Sequence, residues 1–178
     1  MRIVSGEYGG RRFTPPAKIP ARPTTDLAKE GLFNVLTNML DLEECSVLEL
    51  FAGTGNIAYE FASRGVPQMT LVEKDKVCVQ FIKDTFKTLK YEGALVIQGD
   101  ALRYITTCPQ SYDIVFADPP YLMPEMDKIP DMVLASNLLN EDGWFILEHT
   151  HNVFFEAHPH FVKSKNYGGT HFSFFQKK

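Results

Sequence analysis

The 178 residues, 44% hydrophobic and 22% charged, suit one globular core and exclude a disordered chain. No apolar run nears the roughly 20 residues of a membrane-crossing helix, and MRIVSGEYGGRR lacks the apolar stretch of a secretory leader, so a cytoplasmic protein without membrane contact is expected. Cys45, Cys78 and Cys108 are odd in number and widely spaced, which points to three free thiols and away from a disulfide framework or a zinc site.

The formal charge of -4 is unevenly distributed. Arg2, Arg11, Arg12, Lys18, Arg22 and Lys29 against Glu7, Asp26 and Glu30 leave residues 1–30 at +3; Lys163, Lys165, Lys177 and Lys178, with no acid after Glu156, add +4, so the middle carries -11. Basic ends around an acidic centre suggest a polyanion surface built from the termini.

Residues 1–25, rich in Gly, Pro, Arg and Thr, read as a short β-hairpin arm and loop, with residues 26–178 as the main domain. Tyr8 and Phe13 in this arm have no decided role. A helix is expected from Thr25 or Asp26, either of which can cap it; Leu27, Leu32, Phe33, Leu36 and Leu40 form its apolar stripe, with Lys29 and Glu30 on the other side.

An alternation then sets the fold class. Strands at 47–52, 69–74, 94–100, 112–121 and 144–149 are separated by helices at 56–65, from 75 to about 91, near 101–107 and near 125–138, which predicts a mostly parallel sheet covered on both faces. Between Glu148 and Phe161 there is a weak helical pattern, with His151, His158 and His160 lacking metal-site spacing. The runs HFVKSKNYGG and THFSFFQKK, divided at Gly168-Gly169, predict a final antiparallel hairpin in which Phe172, Phe174 and Phe175 serve the core. A parallel sheet ending this way resembles the Rossmann-like, seven-stranded class I methyltransferase fold.

The first chemical motif is ELFAGTGNIAYE (49–60), a strand entering a Gly-containing turn and then a helix. Gly53 and Gly55 allow the tight turn and the close approach of a ligand to the backbone at a helix N-terminus. The spacing Gly53-x-Gly55-x-x-Ala58 fits a nicotinamide dinucleotide as well as a methyl donor. Glu49 favours the methyl donor, because a carboxylate near the mouth suits the cationic amino-acid end of S-adenosyl-L-methionine. Phe51, Thr54 and Lys74 join this candidate donor site; Glu73 at the second strand end is placed for the ribose hydroxyls, Asp100 at the third for the adenine amine, and Ala101 for the adenine ring.

The second motif is Asp118-Pro119-Pro120-Tyr121 at the fourth strand end. Two prolines end the strand in a rigid corner. There the Asp118 carboxylate and the Pro119 carbonyl can each accept an N–H of an exocyclic base amine and orient its nitrogen, while Tyr121 stacks on the base. The product would be S-adenosyl-L-homocysteine, and no metal is needed.

MRIVSGEYGGRRF followed by ARPTTDLAKEGLFNVL, with Arg22-Pro23-Thr24-Thr25-Asp26, Glu30 and Phe33-Asn34 as the specific positions, resembles the bacterial 16S rRNA guanine-N2 methyltransferase family of the RsmD type. That resemblance implies methylation of a guanine N2 amine in 16S rRNA, within the 30S subunit or its assembly intermediate, by a monomeric enzyme. Arg11, Arg12, Arg22, Thr24 and Thr25 are the candidate RNA contacts. Leu27, where the family usually has a basic residue, is a departure. The alternatives are an amino-methyltransferase for adenine N6 or another RNA or DNA base, a nicotinamide-dependent oxidoreductase, and a catalytically silent RNA-binding assembly factor.

Overall fold

A computed structural model describes residues 1–17, 19 and 24–177. Seven strands form one sheet in the order β3-β2-β1-β4-β5-β7-β6: β1 Ser46–Leu50, β2 Gln68–Glu73, β3 Ala94–Gln98, β4 Tyr112–Ala117, β5 Leu139–His149, β6 Phe161–Tyr167 and β7 Thr170–Gln176. The first five are mutually parallel, and β7 runs antiparallel between β5 and β6. The helices are α1 Asp26–Met39, α2 Asn56–Ser63, α3 Lys76–Leu89, α4 Ala101–Thr107 and α5 Ile129–Ala135. The chain leaves β1 toward β2 and β3, then returns to the other side for β4. This reversal opens a crevice at the carboxyl ends of β1 and β4.

Alternation on the central strands divides the interior. Ile114, Phe116, Ile146, Phe172 and Phe174 belong to the core shared with α1, α2 and α3, while Val115, Ala117, Phe145, Leu147 and Phe175 belong to the core under α4 and α5. The expected fold and the core role of the three C-terminal phenylalanines are borne out.

Helix α1 is capped by Thr25, whose side chain accepts from the Ala28 N–H at 3.2 Å. Its apolar face differs from the expected one. Leu27 is 62% exposed and Lys29 is 1% exposed, because the buried face runs through Ala28, Leu32, Phe33 and Leu36 and carries Lys29 inward. The lysine is compensated there by buried Glu60 at 3.0 Å, and it donates to Asn56 Oδ1, at 3.0 Å, and to the Arg2 carbonyl.

The N-terminal segment folds back on itself, with Ile3 N–H donating to the Arg11 carbonyl at 3.0 Å and a single bridge between Arg2 and Arg12. It is pinned to α2: the Val4 N–H donates to Glu60 Oε1 at 2.7 Å and the Tyr8 N–H to Ser63 Oγ at 2.9 Å. Ile3 and Tyr8 are buried in the main core, and Phe13 packs beside Tyr59.

Strand β5 begins five residues before the predicted 144 and contains Asp142, at φ 59°, and Gly143. The helix expected near 125–138 is a 3-10 turn over Met126–Lys128 followed by α5. Between Glu148 and Phe161 there are turns where weak helical patterning was read.

Candidate active site

A cleft of about 950 Å³ lies at the carboxyl ends of β1, β2, β3 and β4. One wall comes from the turn after β1. Phe51, at φ 57°, takes a left-handed conformation that is unfavourable for a residue with a side chain, and Gly53 and Gly55 follow at φ 55° and 79°. A Cβ at Gly53 would meet no protein atom within 4 Å and would take up cavity space, whereas one at Gly55 would come within 2.8 Å of the Tyr59 ring. Glycine thus keeps the cavity open at the first position and permits helix packing at the second. Gly55 is the N-cap of α2 and supplies no side-chain cap, so the helix start presents backbone N–H groups at the cleft.

Glu73 fixes this turn from β2. Its Oε2 accepts from the Gly53 N–H at 2.7 Å and its Oε1 from the Asp75 N–H at 2.8 Å. Asp100 caps α4 through the Arg103 N–H at 3.0 Å, with Ala101 buried behind it; Lys74, 83% exposed at the rim, lies 3.9 Å from Asp100. Glu49, Phe51, Gly53, Thr54, Glu73, Lys74, Asp100 and Ala101 all line the same cleft, while Gly55 sits buried under the turn.

Glu49 is different in kind. It is buried on β1, and among the described residues its Oε2 is the buried side-chain polar atom without a hydrogen-bond partner. Burial pushes its carboxyl well above the usual carboxylate range; the Ala58 N–H opposes this, and the charges of Glu73 and Glu148 add to it. A buried unpaired acceptor at a cavity wall is costly unless a cation or donor arrives from the cavity.

The opposite wall is Asp118-Pro119-Pro120-Tyr121, where β4 ends. Asp118 keeps part of its surface open to the cleft, yet is set deeply enough that desolvation, followed by the charges of Glu148 and Glu49, raises its pKa well above normal. Tyr121 is 39% exposed, and its hydroxyl donates to Glu148 Oε1 at 3.1 Å. Leu122 beside it is 96% exposed.

Glu148 was missed in the sequence. It stands near the end of β5, buried, with Thr24 donating to its other oxygen at 2.8 Å. The signal that finds it is the one that found Glu49, Glu73 and Asp100: an acid at the carboxyl end of a parallel strand. Thr24, expected to touch RNA, is buried and committed to Glu148, and Thr25 is committed to capping α1. Arg11 and Arg12 are exposed, with the Arg11 guanidinium 5.3 Å over the Tyr8 ring, while Arg22 lies outside the described residues.

The family described as Conserved hypothetical protein 95 matches residues 1–176. The chain is 33% identical over 144 residues to Ribosomal RNA small subunit methyltransferase D of Escherichia coli K12, covering 81% of this chain and 69% of the relative. A solved hypothetical protein of Thermus thermophilus superposes with a TM-score of 0.85 at 26% identity, over 98% of both chains. The T. thermophilus 16S rRNA N2 G1207 methyltransferase, solved with AdoMet and guanosine, shares the fold at a TM-score of 0.71 and 20% identity, over 89% of this chain and 45% of its own.

Proposed function

Given that this chain belongs to the RsmD-type family described as Conserved hypothetical protein 95, we propose that it transfers a methyl group from S-adenosyl-L-methionine to the N2 amine of a guanine in 16S rRNA, within the small subunit or its assembly intermediate. The observation that carries this reading is the placement of the unpaired Glu49 carboxylate and the Gly53–Gly55 turn across one cleft from the Asp118–Tyr121 corner.

The residues fit the donor. Glu49 would answer its cationic amino-acid end, the start of α2 and the Gly53 backbone would lie along it, and Glu73, Asp100 and Ala101 would hold its ribose and adenine. Two acids of the cleft wall with upward-shifted pKa values, Glu49 and Asp118, with Glu148 close to both, also favour a ligand that brings positive charge. When bound, the donor supplies an electrophilic methyl group on a sulfonium.

The chain's part is orientation and charge. An exocyclic base amine is a weak nucleophile, since its lone pair is delocalised into the ring. Asp118 and the Pro119 carbonyl each accept one of its N–H bonds, aim the nitrogen, and stabilise the positive charge that develops there. Tyr121, partly exposed at the cleft, stacks on a base turned out of its helix. Arg11 and Arg12 contact phosphate from the arm.

The test is to map modified nucleosides in 16S rRNA from cells lacking the protein, then add purified protein and labelled donor to their small subunits. Loss of one N2-methylguanosine that the protein restores supports enzyme, base and substrate together. An unchanged 16S rRNA overturns the substrate, and transfer to an adenine amine overturns the base.

A further inference from the structure

A hydrogen-bond chain, in which Thr24, Asn56 and Tyr121 line the cleft, joins its two walls. Tyr121 donates to Glu148 Oε1 at 3.1 Å; Thr24 donates to Glu148 Oε2 at 2.8 Å; the Thr24 carbonyl accepts from Asn56 Nδ2 at 3.0 Å; and Asn56 Oδ1 accepts from Lys29, which pairs with Glu60. Asn56 is the first residue of α2, directly after Gly55, so the chain passes from the transfer corner to the helix that opens the donor turn. Glu148 is not itself a wall of the cleft. Its neighbour Leu147 pairs with Ala117 in the parallel register of β5 and β4, which sets Glu148 beside Asp118.

Two features resist a purely structural explanation. A carboxylate 1% exposed, next to two other acids, is an expensive way to end a strand that an apolar residue would end more cheaply. And the group it restrains is a surface ring: Tyr121 is partly exposed, contributes little to either core, and yet is held at its hydroxyl. Fixing a half-exposed ring before its partner arrives is how a binding site lowers the ordering cost of a productive geometry.

We propose that Glu148 is a positioning residue for transfer: through Thr24 and Asn56 it ties the Tyr121 ring to the start of α2, so the surface that receives the base and the turn that receives the donor keep a fixed separation. This rests on the reading of Tyr121 as the base-stacking residue given above. Glu148 does not line the cleft and acts through Tyr121 and Thr24.

The variants are Glu148→Ala, Glu148→Gln, Thr24→Val, Tyr121→Phe and the Glu148→Ala/Tyr121→Phe double, each assayed well below its unfolding midpoint. Glutamine keeps the bracket, since each hydroxyl can donate to its oxygen or accept from its amide. On under-methylated small subunits, Glu148→Ala should lower kcat by about tenfold to a hundredfold, as a small misplacement does, while donor Kd stays within about twofold. Glu148→Gln should recover kcat to within about threefold, and the double variant should be no worse than Glu148→Ala, because both break the same tether. Wild-type kcat in Glu148→Ala, or additive losses in the double, overturns the proposal.

A second measurement needs no substrate. Fluorotyrosine at position 121, followed by fluorine relaxation, should show a more mobile ring in Glu148→Ala and Thr24→Val than in Glu148→Gln. Unchanged ring mobility overturns the tether. A looser ring in a protein whose wild type methylates no small subunit would overturn the rRNA reading and leave the tether standing.

Discussion

On the β2 and β3 side of the cleft, Glu73 and Asp100 keep their carboxylates at or near the surface and direct them to backbone N–H groups of the adjacent turn and helix. At β1, β4 and β5, Glu49, Asp118 and Glu148 are set deep, close enough to repel one another, and one oxygen of Glu49 has no partner. The first set can be understood as finished local structure, because each acid already has a donor in the free protein. The second set holds unrelieved electrostatic cost, and such cost collects where a ligand or a reacting group will relieve it. The contrast separates acids already held by local backbone donors from acids whose burial leaves a cost for a ligand to relieve.

The largest effect should come from the second set. Asp118→Ala removes an acceptor aimed at the amine, and the loss in transfer rate should reach about 10²- to 10³-fold, as for other preorganised polar groups at a reacting centre. Donor affinity by calorimetry should stay within about twofold. An active Asp118→Ala protein would remove Asp118 from the transfer step and dissolve the comparison.

Glu49→Gln should have a two-sided effect that no acid on the other side can imitate. Replacing a buried carboxyl whose Oε2 has no partner, and whose ionisation burial makes costly, should raise the unfolding free energy of the free protein by about 1 kcal/mol or more. The same change should weaken donor binding by about tenfold, the loss of a charged hydrogen bond. Glu73→Gln should lower stability instead, since it weakens the hold on the Gly53 and Asp75 N–H groups. If Glu49→Gln binds donor normally, Glu49 belongs with neither set.

The two sets also differ in how far they could be read ahead of the structure. Gly53, Gly55, Glu73 and Asp100 are adjacent to strand ends that hydrophobic patterning locates, so local spacing is enough. Asp118 was legible because two prolines stop the strand beside it. Glu148 and Thr24 meet across 124 residues, and no local pattern joins them. Lys29 was misread for a related reason: its helical position is ambiguous by one residue, and the acid that makes its burial tolerable comes from another helix.

The arm gives a smaller effect that should leave both sets untouched. Arg11→Glu with Arg12→Glu should weaken RNA binding and reduce the slope of log affinity against log salt by about two, if each arginine neutralises one phosphate. Ile3 and Tyr8 stay in the core, so donor affinity should not move, and unfolding should shift only by the loss of the Arg11 contact with the Tyr8 ring, about 0.5–1 kcal/mol. A change in donor affinity would mean that the arm's pinning to α2 through Glu60 and Ser63 reaches the donor turn.

The subtlest effect is in pH. Burial pushes Glu148 from its ordinary 4.5 up to about 7, against the pull of the Thr24 and Tyr121 hydroxyls, and Glu49 and Asp118 are displaced in the same direction. Between about pH 4.5 and 7 the folded protein therefore keeps protons that the unfolded chain has released, so this contribution to stability is full at the acid end and is lost as pH rises through 7. His149, whose pKa burial lowers from 6.5, acts with the opposite sign in the same window, so the wild-type curve alone is ambiguous. The difference between Glu148→Gln and wild type cancels the histidine. That difference in unfolding midpoint should grow by a few degrees in favour of Glu148→Gln between about pH 5 and pH 8. A difference that stays flat would show that burial does not hold the proton on Glu148, and would remove it from the set with Glu49 and Asp118.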